Sequence, residues 1–305
     1  MSEAGAGRYA PSPSGDLHLG NLRTALLAWA FARSTGRRFV LRIEDLDRAR
    51  PGVEQRQLDD LAAIGVDWDG PVVRQSERLP RYEAAIDQLT AAGLTYECYC
   101  TRREIQQAAT APHGPMGAYP GTCRTLTASA RERLRAQGRP AALRLRATVT
   151  ELDVVDELRG PYRGRVDDLV LRRGDGIPAY NLAVVVDDAA QGVDQVVRGD
   201  DLLPSTPRQA YLAMLLDLPV PRYAHVPLVL NTAGQRLAKR DGAVTLADRR
   251  ALGNTPGQIV ATLAASLDCT ATSASELLAH FNAGKLPREP WILDVNGLLQ
   301  CSRCP

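Results

Sequence analysis

The chain has 305 residues, which is enough for one large domain or two modest ones with a sizeable core. Hydrophobic residues make up 45% and charged residues 24%, as in ordinary soluble proteins, and a net charge of +2 does not by itself indicate a nucleic-acid partner. No apolar run is long enough to cross a membrane, and the first residues lack the apolar stretch of a signal peptide. The sequence therefore predicts a cytoplasmic protein.

The first 64 residues have the rhythm of a parallel α/β sheet. Residues 8–10 predict a short strand, residues 21–33 a helix, residues 38–43 a second strand and residues 53–64 a second helix. This order indicates an α/β fold, with a Rossmann-like doubly wound parallel sheet that binds ligands at the carboxyl ends of its strands.

The later segments divide the rest of the chain. Residues 98–168 break the α/β rhythm with clustered cysteines, a Gly/Pro-rich stretch and many arginines, and they predict an inserted subdomain. Residues 1–97 and 169–253 then form the two halves of the catalytic core, and residues 254–305 form a short helical tail. In the second half, residues 182–186, 195–197 and 226–230 predict strands, and residues 212–216 a helix.

The tail carries two helix-start signals. Thr255 followed by Pro256 indicates a cap and a first-turn proline, and Ser273 with Glu276 indicates a capping box.

One segment suited to binding phosphate follows the first strand. His18, Gly20 and Asn21 lie where the predicted first helix begins, and the free N–H groups of a helix start attract phosphate. His18 can donate a hydrogen bond to a phosphate whose charge grows during reaction, and Gly20 permits close approach of a nucleotide. A lone His-x-Gly has a simpler alternative, in which His18 only caps the turn.

A second candidate for phosphate binding lies late in the chain. Residues 234–242 form a loop with three cations in five residues, whose simpler explanation is a solvated basic loop. Only Lys239 and Lys285 are lysines among 37 basic residues, so Lys239 stands where arginine was not used. A slim ammonium differs from a planar guanidinium in shape and hydration, which favours a specific role for Lys239.

Four segments resemble the glutamate branch of the class I aminoacyl-tRNA synthetases. Residues 8–20 are similar to the H-I-G-H signature, with Asn21 in place of its second histidine, and residues 236–240 are similar to the K-M-S-K-S loop. Residues 41–47 and 197–209 resemble further glutamyl blocks. The resemblance covers roughly residues 8–250 and implies activation of glutamate with ATP and Mg²⁺. It implies that His18 and Lys239 are catalytic, and that both bind ATP together with Gly20 and Asn21.

Glutamate has two carboxylates and one ammonium, so a selective site needs cationic or polar anchors and one anion. Arg8, Glu44 and Arg198 each stand near a predicted strand end, and such ends converge in this fold. Arginine binds carboxylate in a bidentate manner, and Glu44 suits the ammonium. Which arginine takes which carboxylate stays open. The resemblance adds Tyr180, and the predicted glutamate site comprises Arg8, Ser12, Glu44, Tyr180 and Arg198.

Cys98, Cys100 and Cys123 indicate a structural Zn²⁺ site, because three thiolates with a fourth ligand suit tetrahedral zinc. Free buried cysteines are the alternative. His113 is a conventional fourth ligand, whereas a resemblance to the zinc module of glutamyl-queuosine tRNA(Asp) synthetases implies Tyr119. The role of Cys301 and Cys304 stays open.

The same family is implied by the short tail, which is too small for an anticodon-binding domain. The resemblance implies a monomer that moves glutamate onto the queuosine base of tRNA(Asp). One set of arginines could contact tRNA phosphates or could form a solvated face. The set comprises the arginines of residues 131–146 together with Arg163, Arg165, Arg172 and Arg173. The alternatives are a short glutamyl-tRNA synthetase that charges tRNA(Glu), another nucleotidyltransferase, and a non-catalytic RNA-binding relative.

Overall fold

The computed structural model describes residues 5–101, 103–105, 119–237, 241–242 and 244–294, and the helices and strands below lie within them. The strands are β1 (Ala6–Tyr9), β2 (Arg38–Ile43), β3 (Val73–Arg74), β4 (Thr95–Cys98), β5 (Ala142–Leu145), β6 (Glu151–Asp156), β7 (Gly160–Arg165), β8 (Val170–Arg172), β9 (Val193–Gly199), β10 (Arg222–Val226), β11 (Val229–Leu230) and β12 (Trp291–Ile292). The helices are α1 (Leu19–Ser34), α2 (Val53–Ala63), α3 (Leu79–Ala91), α4 (Ala128–Ala136), α5 (Tyr180–Ala190), α6 (Thr206–Leu215), α7 (Leu246–Ala251), α8 (Pro256–Ala265) and α9 (Ala274–His280).

A central sheet of seven strands has the order β3-β2-β1-β9-β10-β6-β7. Every neighbouring pair is parallel except β6 with β7, which form an antiparallel hairpin at one edge. The chain leaves β1 toward β2 on one side and returns as β9 on the other, so the strand order reverses between β1 and β9. Ligands bind at such a reversal in doubly wound sheets. The predicted parallel α/β core is confirmed.

Helices cover both faces of this sheet, as two separate apolar clusters show. On one face, α1 packs with α8 and α9, and its residues Leu22, Leu26 and Ala30 are fully buried. On the other face, α3, α5 and α6 pack together. Because α1 is apolar around most of its circumference, it is buried between the sheet and the C-terminal helices.

Two strand predictions in the second half were wrong. Residues 182–186 lie inside α5, where they are buried against α3 and α6. A short apolar run suits a buried helix as well as a buried strand, and periodicity cannot separate the two. Residues 226–230 do not form one strand either, because β10 ends at Val226, and Pro227 and Leu228 separate it from β11, which pairs with β12 in a small sheet.

A second sheet, in the order β4-β5-β8, is antiparallel and lies beside the cysteine cluster. The hairpin of β6 and β7, although it belongs to the same 98–168 stretch, joins the edge of the central sheet. That stretch therefore contributes to two sheets, and its treatment as one inserted subdomain stays a proposal.

The C-terminal helices begin at side-chain caps. Thr255 caps α8 in a full capping box with Gln258, followed by Pro256 in the first turn as predicted. Ser273 caps α9 through its hydroxyl, which accepts the backbone N–H of Glu276, so the first half of the predicted box is confirmed. The carboxylate of Glu276 accepts the backbone N–H of Thr272 at 2.7 Å, one residue before the cap. Within the described ranges, none of the helices combines the length and apolarity that crossing a bilayer would need.

Candidate active site

A cavity of about 580 Å³ opens at the carboxyl ends of β1, β2 and β9, where the strand order reverses. The structure brings together in its wall all the described residues that the sequence predicted for glutamate and ATP, namely Arg8, Ser12, His18, Gly20, Asn21, Glu44, Tyr180 and Arg198. These residues come from segments that are up to 190 positions apart in the chain, on β1, α1, the end of β2, α5 and β9. Their individual roles stay predictions.

Arg8 lies at the floor of the cavity with its charge balanced from behind. Its Nη1 donates to the carbonyl oxygen of Val197 at 3.1 Å, and its Nε lies 3.4 Å from Oδ1 of Asp188. The same carboxylate oxygen accepts from Nη1 of Arg42 at 2.8 Å. Asp188 therefore anchors two buried arginines and leaves the Nη2 end of Arg8 for a ligand carboxylate.

Glu44 follows β2 and presents a partly buried carboxylate to the cavity. Its backbone N–H donates to the carbonyl oxygen of Pro11 at 2.9 Å, which ties the end of β2 to the loop after β1. Burial raises the pKa of the Glu44 carboxyl, and the charges of Arg42 and Arg8 oppose that rise. A ligand ammonium beside Glu44 would further favour its ionised form.

Arg198 is held by side chains of two neighbouring elements. Its Nε donates to Nε2 of His225 at 3.0 Å, its Nη1 to Oε1 of Gln209 at 2.7 Å, and its Nη2 to Oγ1 of Thr206 at 2.8 Å. Arg198 is 5% exposed as a residue, and its guanidinium cannot change orientation without breaking these bonds. Tyr180, the first residue of α5, is 42% exposed at the cavity wall.

His18 caps α1, and this cap determines the tautomer of the imidazole. Nδ1 accepts the backbone N–H of Asn21 at 3.1 Å, while Oδ1 of Asn21 accepts the backbone N–H of His18 at 3.2 Å. The proton of the neutral ring therefore lies on Nε2, where it is available for donation. Burial and the charge of Arg236 lower the pKa of His18 below 6.5. A Cβ on Gly20 would lie 3.0 Å from the His18 ring, so this glycine leaves room for the imidazole.

Lys239 lies outside the described residues, but both ends of its loop adjoin the cavity. Arg236 and Leu237 line the cavity on one side, and Arg236 forms an ion pair with Asp201. On the other side, the carbonyl oxygen of Val244 accepts the backbone N–H of Leu19 at 2.8 Å. The loop therefore begins and ends beside the start of α1, on the same side of the cavity as His18.

Sequence reasoning missed four residues that support the cavity. Nε2 of Gln57 donates to the carbonyl oxygens of Ser12 at 3.0 Å and Gly15 at 2.7 Å, which holds the loop after β1 against α2. The others are Asp188 and the buried pair Asp156 and His225. Only Gln57 had a signal in the sequence, because it is a polar side chain on the apolar face of α2, between Val53 and Leu61.

The three predicted thiols form a compact cluster that fits a metal ion. The sulfur atoms of Cys98, Cys100 and Cys123 all lie within 4.8 Å of one another. Oη of Tyr119 lies 3.3 Å from the Cys98 sulfur and 3.8 Å from the Cys100 sulfur. Zinc–sulfur bonds of 2.3 Å in a tetrahedron would separate the sulfurs by about 3.8 Å, so the donor set is close to that geometry. His113 lies outside the described residues.

Arg144 packs on this cluster and does not point to solvent. Its guanidinium carbon lies 3.6 Å from the centre of the Tyr119 ring, and the side chain is 6% exposed. Burial tends to raise the pKa of the Cys98 thiol, but contacts with Tyr119 and Arg144 outweigh it and lower the pKa. Arg144 thus favours the ionised form of Cys98, whereas burial and the neighbouring thiols raise the pKa of Cys100 to about 12.

Other arginines of the predicted basic region face solvent or pair with acids. Helix α4 has no buried residue, and on or beside it Arg135 pairs with Glu97 and Arg139 with Glu104. Arg163, Arg172 and Arg173 likewise have carboxylate partners. Much of the positive charge in this region is therefore locally balanced.

Sequence comparison finds a family model described as the catalytic domain of class I tRNA synthetases (E and Q), which matches residues 6–283. A relative from Nocardia farcinica, called glutamyl-Q tRNA(Asp) synthetase, is 75% identical over 99% of this chain and 97% of its own length. A relative of the same name from Pseudomonas aeruginosa is 43% identical over 94% of this chain and 97% of its own length.

Among solved structures, the fold is similar to a glutamate tRNA ligase from Elizabethkingia meningosepticum that was crystallised with its amino acid. The TM-score is 0.82 and the identity 28%, over 96% of this chain and 68% of that chain. The similarity therefore extends across nearly all of the protein, including the strands that surround the cavity.

Proposed function

The chain belongs to the class I tRNA synthetases of the glutamate and glutamine branch, and from this premise we propose that it activates glutamate with ATP and transfers it to the queuosine base of tRNA(Asp). The cavity between β1 and β9 is the observation that carries the proposal. It combines the carboxylate of Glu44, two buried arginines and an imidazole with a fixed Nε2–H in one space of about 580 Å³.

The charges in the cavity match those of glutamate. The carboxylate of Glu44 binds the ammonium, while Arg8 and Arg198 attract the two carboxylates. Arg8 keeps its Nη2 end for a bidentate contact, whereas most of the N–H groups of Arg198 are engaged by the protein. Tyr180 and Ser12 complete the predicted glutamate site at the cavity wall.

Activation requires positioning and charge stabilisation more than a protein nucleophile. The α-carboxylate of glutamate attacks the α-phosphorus of ATP, the bond to the β-phosphate oxygen breaks, and pyrophosphate leaves with its charge balanced by Mg²⁺. His18 donates from Nε2 to a phosphate oxygen, and Lys239 neutralises the leaving pyrophosphate. Gly20 and Asn21 keep the start of α1 open to the nucleotide.

Transfer then uses the mixed anhydride as the glutamyl donor. A nucleophilic group of the acceptor attacks the glutamyl carbonyl, AMP leaves with the bonding electron pair, and the acceptor loses one proton. The Nocardia relative, which this chain matches along 97% of its length, supports tRNA(Asp) as the carrier of that acceptor. Exposed arginines of α4, at the end of the molecule that carries the cysteine cluster, supply phosphate contacts.

We also propose one structural Zn²⁺ bound by Cys98, Cys100, Tyr119 and Cys123. The spacing of the four donor atoms and the positive charge of Arg144 beside them support this assignment. When bound, the ion would link β4 to the segment that precedes α4 and so brace the 98–168 subdomain, as structural zinc does in small modules.

Glutamate-dependent ATP–pyrophosphate exchange without tRNA tests the first step. Transfer of labelled glutamate to tRNA with and without queuosine tests the second, followed by nuclease digestion to find which fragment holds the label. We expect exchange and label on the anticodon fragment of tRNA(Asp). Label on the 3′ end of tRNA(Glu) would identify a charging enzyme, and absence of exchange would indicate a non-catalytic protein.

A further inference from the structure

We infer that Asp156 and His225 are positioning residues for glutamate, because together they fix the guanidinium of Arg198 in the orientation that faces the cavity. This inference rests on the proposed glutamate site. Neither residue lines the cavity, and neither belongs to the segments that resemble known synthetase motifs. Their effect on the substrate therefore passes through Arg198.

The three side chains form one buried chain of hydrogen bonds across adjacent strands. Oδ2 of Asp156 on β6 lies 2.6 Å from Nδ1 of His225 on β10, and Nε2 of His225 lies 3.0 Å from Nε of Arg198 on β9. The three residues are 2%, 0% and 5% exposed, so water does not compete for these bonds. In such surroundings an unmade hydrogen bond is costly.

The direction of each bond follows from the arginine. Nε of a guanidinium only donates, so Nε2 of His225 must carry a lone pair, and Oγ1 of Thr206 lies 3.2 Å from the same nitrogen. The ring proton is then on Nδ1 and is donated to Asp156. Burial lowers the pKa of His225 although Asp156 opposes this, and the charges of Arg198 and Arg8 lower it further, which keeps the ring neutral.

Asp156 is itself held in place by backbone groups. Oδ1 accepts the backbone N–H groups of Leu158 and Arg159, both at 2.9 Å, and the carboxylate also accepts the backbone N–H of His225 at 3.1 Å. The carboxylate therefore cannot rotate away from the imidazole. The turn between β6 and β7 thus determines the tautomer of a histidine on β10.

The consequence for Arg198 is a guanidinium with one remaining donor. Four of its five N–H groups go to His225, Gln209, Thr206 and, at 3.4 Å, the carbonyl oxygen of Leu202. The free N–H is on Nη1, so Arg198 contacts a carboxylate through one hydrogen bond and its charge. Because the side chain is already ordered, binding loses little of its conformational entropy.

Asp156→Asn tests this arrangement without changing size. The amide oxygen would accept the backbone N–H groups, which leaves the NH₂ facing Nδ1 of His225. The ring would then carry its proton on Nε2, opposite the Nε–H of Arg198, and the arginine would shift. We expect the KM for glutamate in pyrophosphate exchange to rise about 10- to 100-fold with the KM for ATP unchanged. Asp194→Asn is the matched control, because Asp194 also lies on β9 but pairs with Arg37 and not with the Arg198 network.

Two further readouts separate positioning from a general loss of structure. His225→Gln places an amide oxygen near the position of Nε2 and should retain more glutamate affinity than His225→Leu. In addition, ¹⁵N-histidine NMR of the wild type should show His225 protonated at Nδ1, with the proton moved to Nε2 in Asp156→Asn.

An unchanged glutamate KM in Asp156→Asn, or an Nε2-protonated His225 in the wild type, would overturn the inference while the proposed function stands. A wild type without glutamate-dependent exchange would overturn both.

Discussion

His18 and Asn21 hold each other through two hydrogen bonds, one from each backbone N–H to the side chain of the other residue. The imidazole therefore caps α1 and presents its Nε2–H to the cavity at the same time. The capping role, which was the simpler alternative for His18, is confirmed, and it gives the imidazole the defined tautomer that the proposed catalytic role needs.

His18→Asn should separate these two roles. Asparagine is a favourable N-cap and preserves the start of α1, but it removes the donor at the position of Nε2. We expect the rate constant of pyrophosphate exchange to fall about 10²- to 10³-fold with an unchanged melting temperature. His18→Ala should lose the same activity and also about 1 kcal/mol of stability. Full activity in His18→Asn would contradict the phosphate contact.

Glu44→Gln should weaken glutamate binding selectively. The amide has the same shape but no charge for the ammonium, and loss of a buried charge partner costs about 2 kcal/mol or more, which corresponds to roughly a 30-fold higher KM for glutamate. The KM for ATP should not change. Glu54→Gln is the control, because Glu54 forms a partly exposed pair with Arg74 that contributes little.

One zinc ion per chain should copurify with the protein and be measurable by elemental analysis. Cys100→Ser should abolish metal retention, and Tyr119→Phe should weaken it in competition with a chelator. Cys269→Ser changes a free cysteine outside the cluster and should keep the full zinc content. Equal zinc retention in Tyr119→Phe and the wild type would exclude the phenol as a ligand.

Lys239→Arg should reduce pyrophosphate exchange about 10²-fold or more while the protein remains folded. Both described ends of the loop have their own anchors, such as the 3.0 Å bond from Nδ2 of Asn231 to Oδ1 of Asp241, so a change at position 239 should leave the melting temperature unchanged. Lys285→Arg, at the other lysine of the chain, provides the control. An active Lys239→Arg enzyme would contradict a role for the ammonium.

The contributions of His18 and His225 to stability should decrease as the pH falls through about 6.5, whereas Asp60, whose pKa burial raises to about 6, contributes with the opposite sign. The pKa values of His18 and His225 are lowered in the folded protein, so below their ordinary pKa the unfolded chain binds more protons than the folded one. Folding free energy is then lost with decreasing pH until the folded groups also titrate, by at most about 1.4 kcal/mol per pH unit for each histidine. Urea unfolding between pH 7.5 and 5.5 should show a smaller loss in His225→Gln than in the wild type, and equal losses would contradict this account.

Local patterns in the sequence predicted the first half of the fold well. The helices over residues 21–33 and 53–64 and the strand over 38–43 agree closely with α1, α2 and β2, because each has a clear periodicity and a turn at its end. The strand prediction for residues 182–186 was wrong because α5 is buried on several sides and these residues carry no polar stripe that would indicate a helix. At the start of α9 the capping hydroxyl of Ser273 was predicted correctly, while the bond from Thr272 to the Glu276 carboxylate was not predicted.

The cavity residues were accessible to sequence reasoning because they stand in motifs, whereas the residues behind them were not. Arg8, Glu44 and Arg198 each lie at a strand end. Asp156 and His225 are 69 positions apart, and only the pairing of β6 with β10 brings them together. No local pattern marks a pair that depends on strand order, and the same holds for Asp188 with Arg8.

The backbone bridge between His18 and Thr245 has a consequence for biosynthesis. These residues are roughly 230 positions apart, and a ribosome needs about 10 to 45 s to cover that distance. Until β9 emerges, β1 can pair with β2 but has no strand on its other side, and the bridge to Thr245 forms later still. The nascent chain must therefore keep an unpaired strand edge until β9 has been made, and the wall of the cavity beside α1 closes only after Thr245. This early strand edge must be protected, by a chaperone or by transient pairing with another segment. The need for protection follows from the order of the strands along the chain and not from the reaction that the protein catalyses.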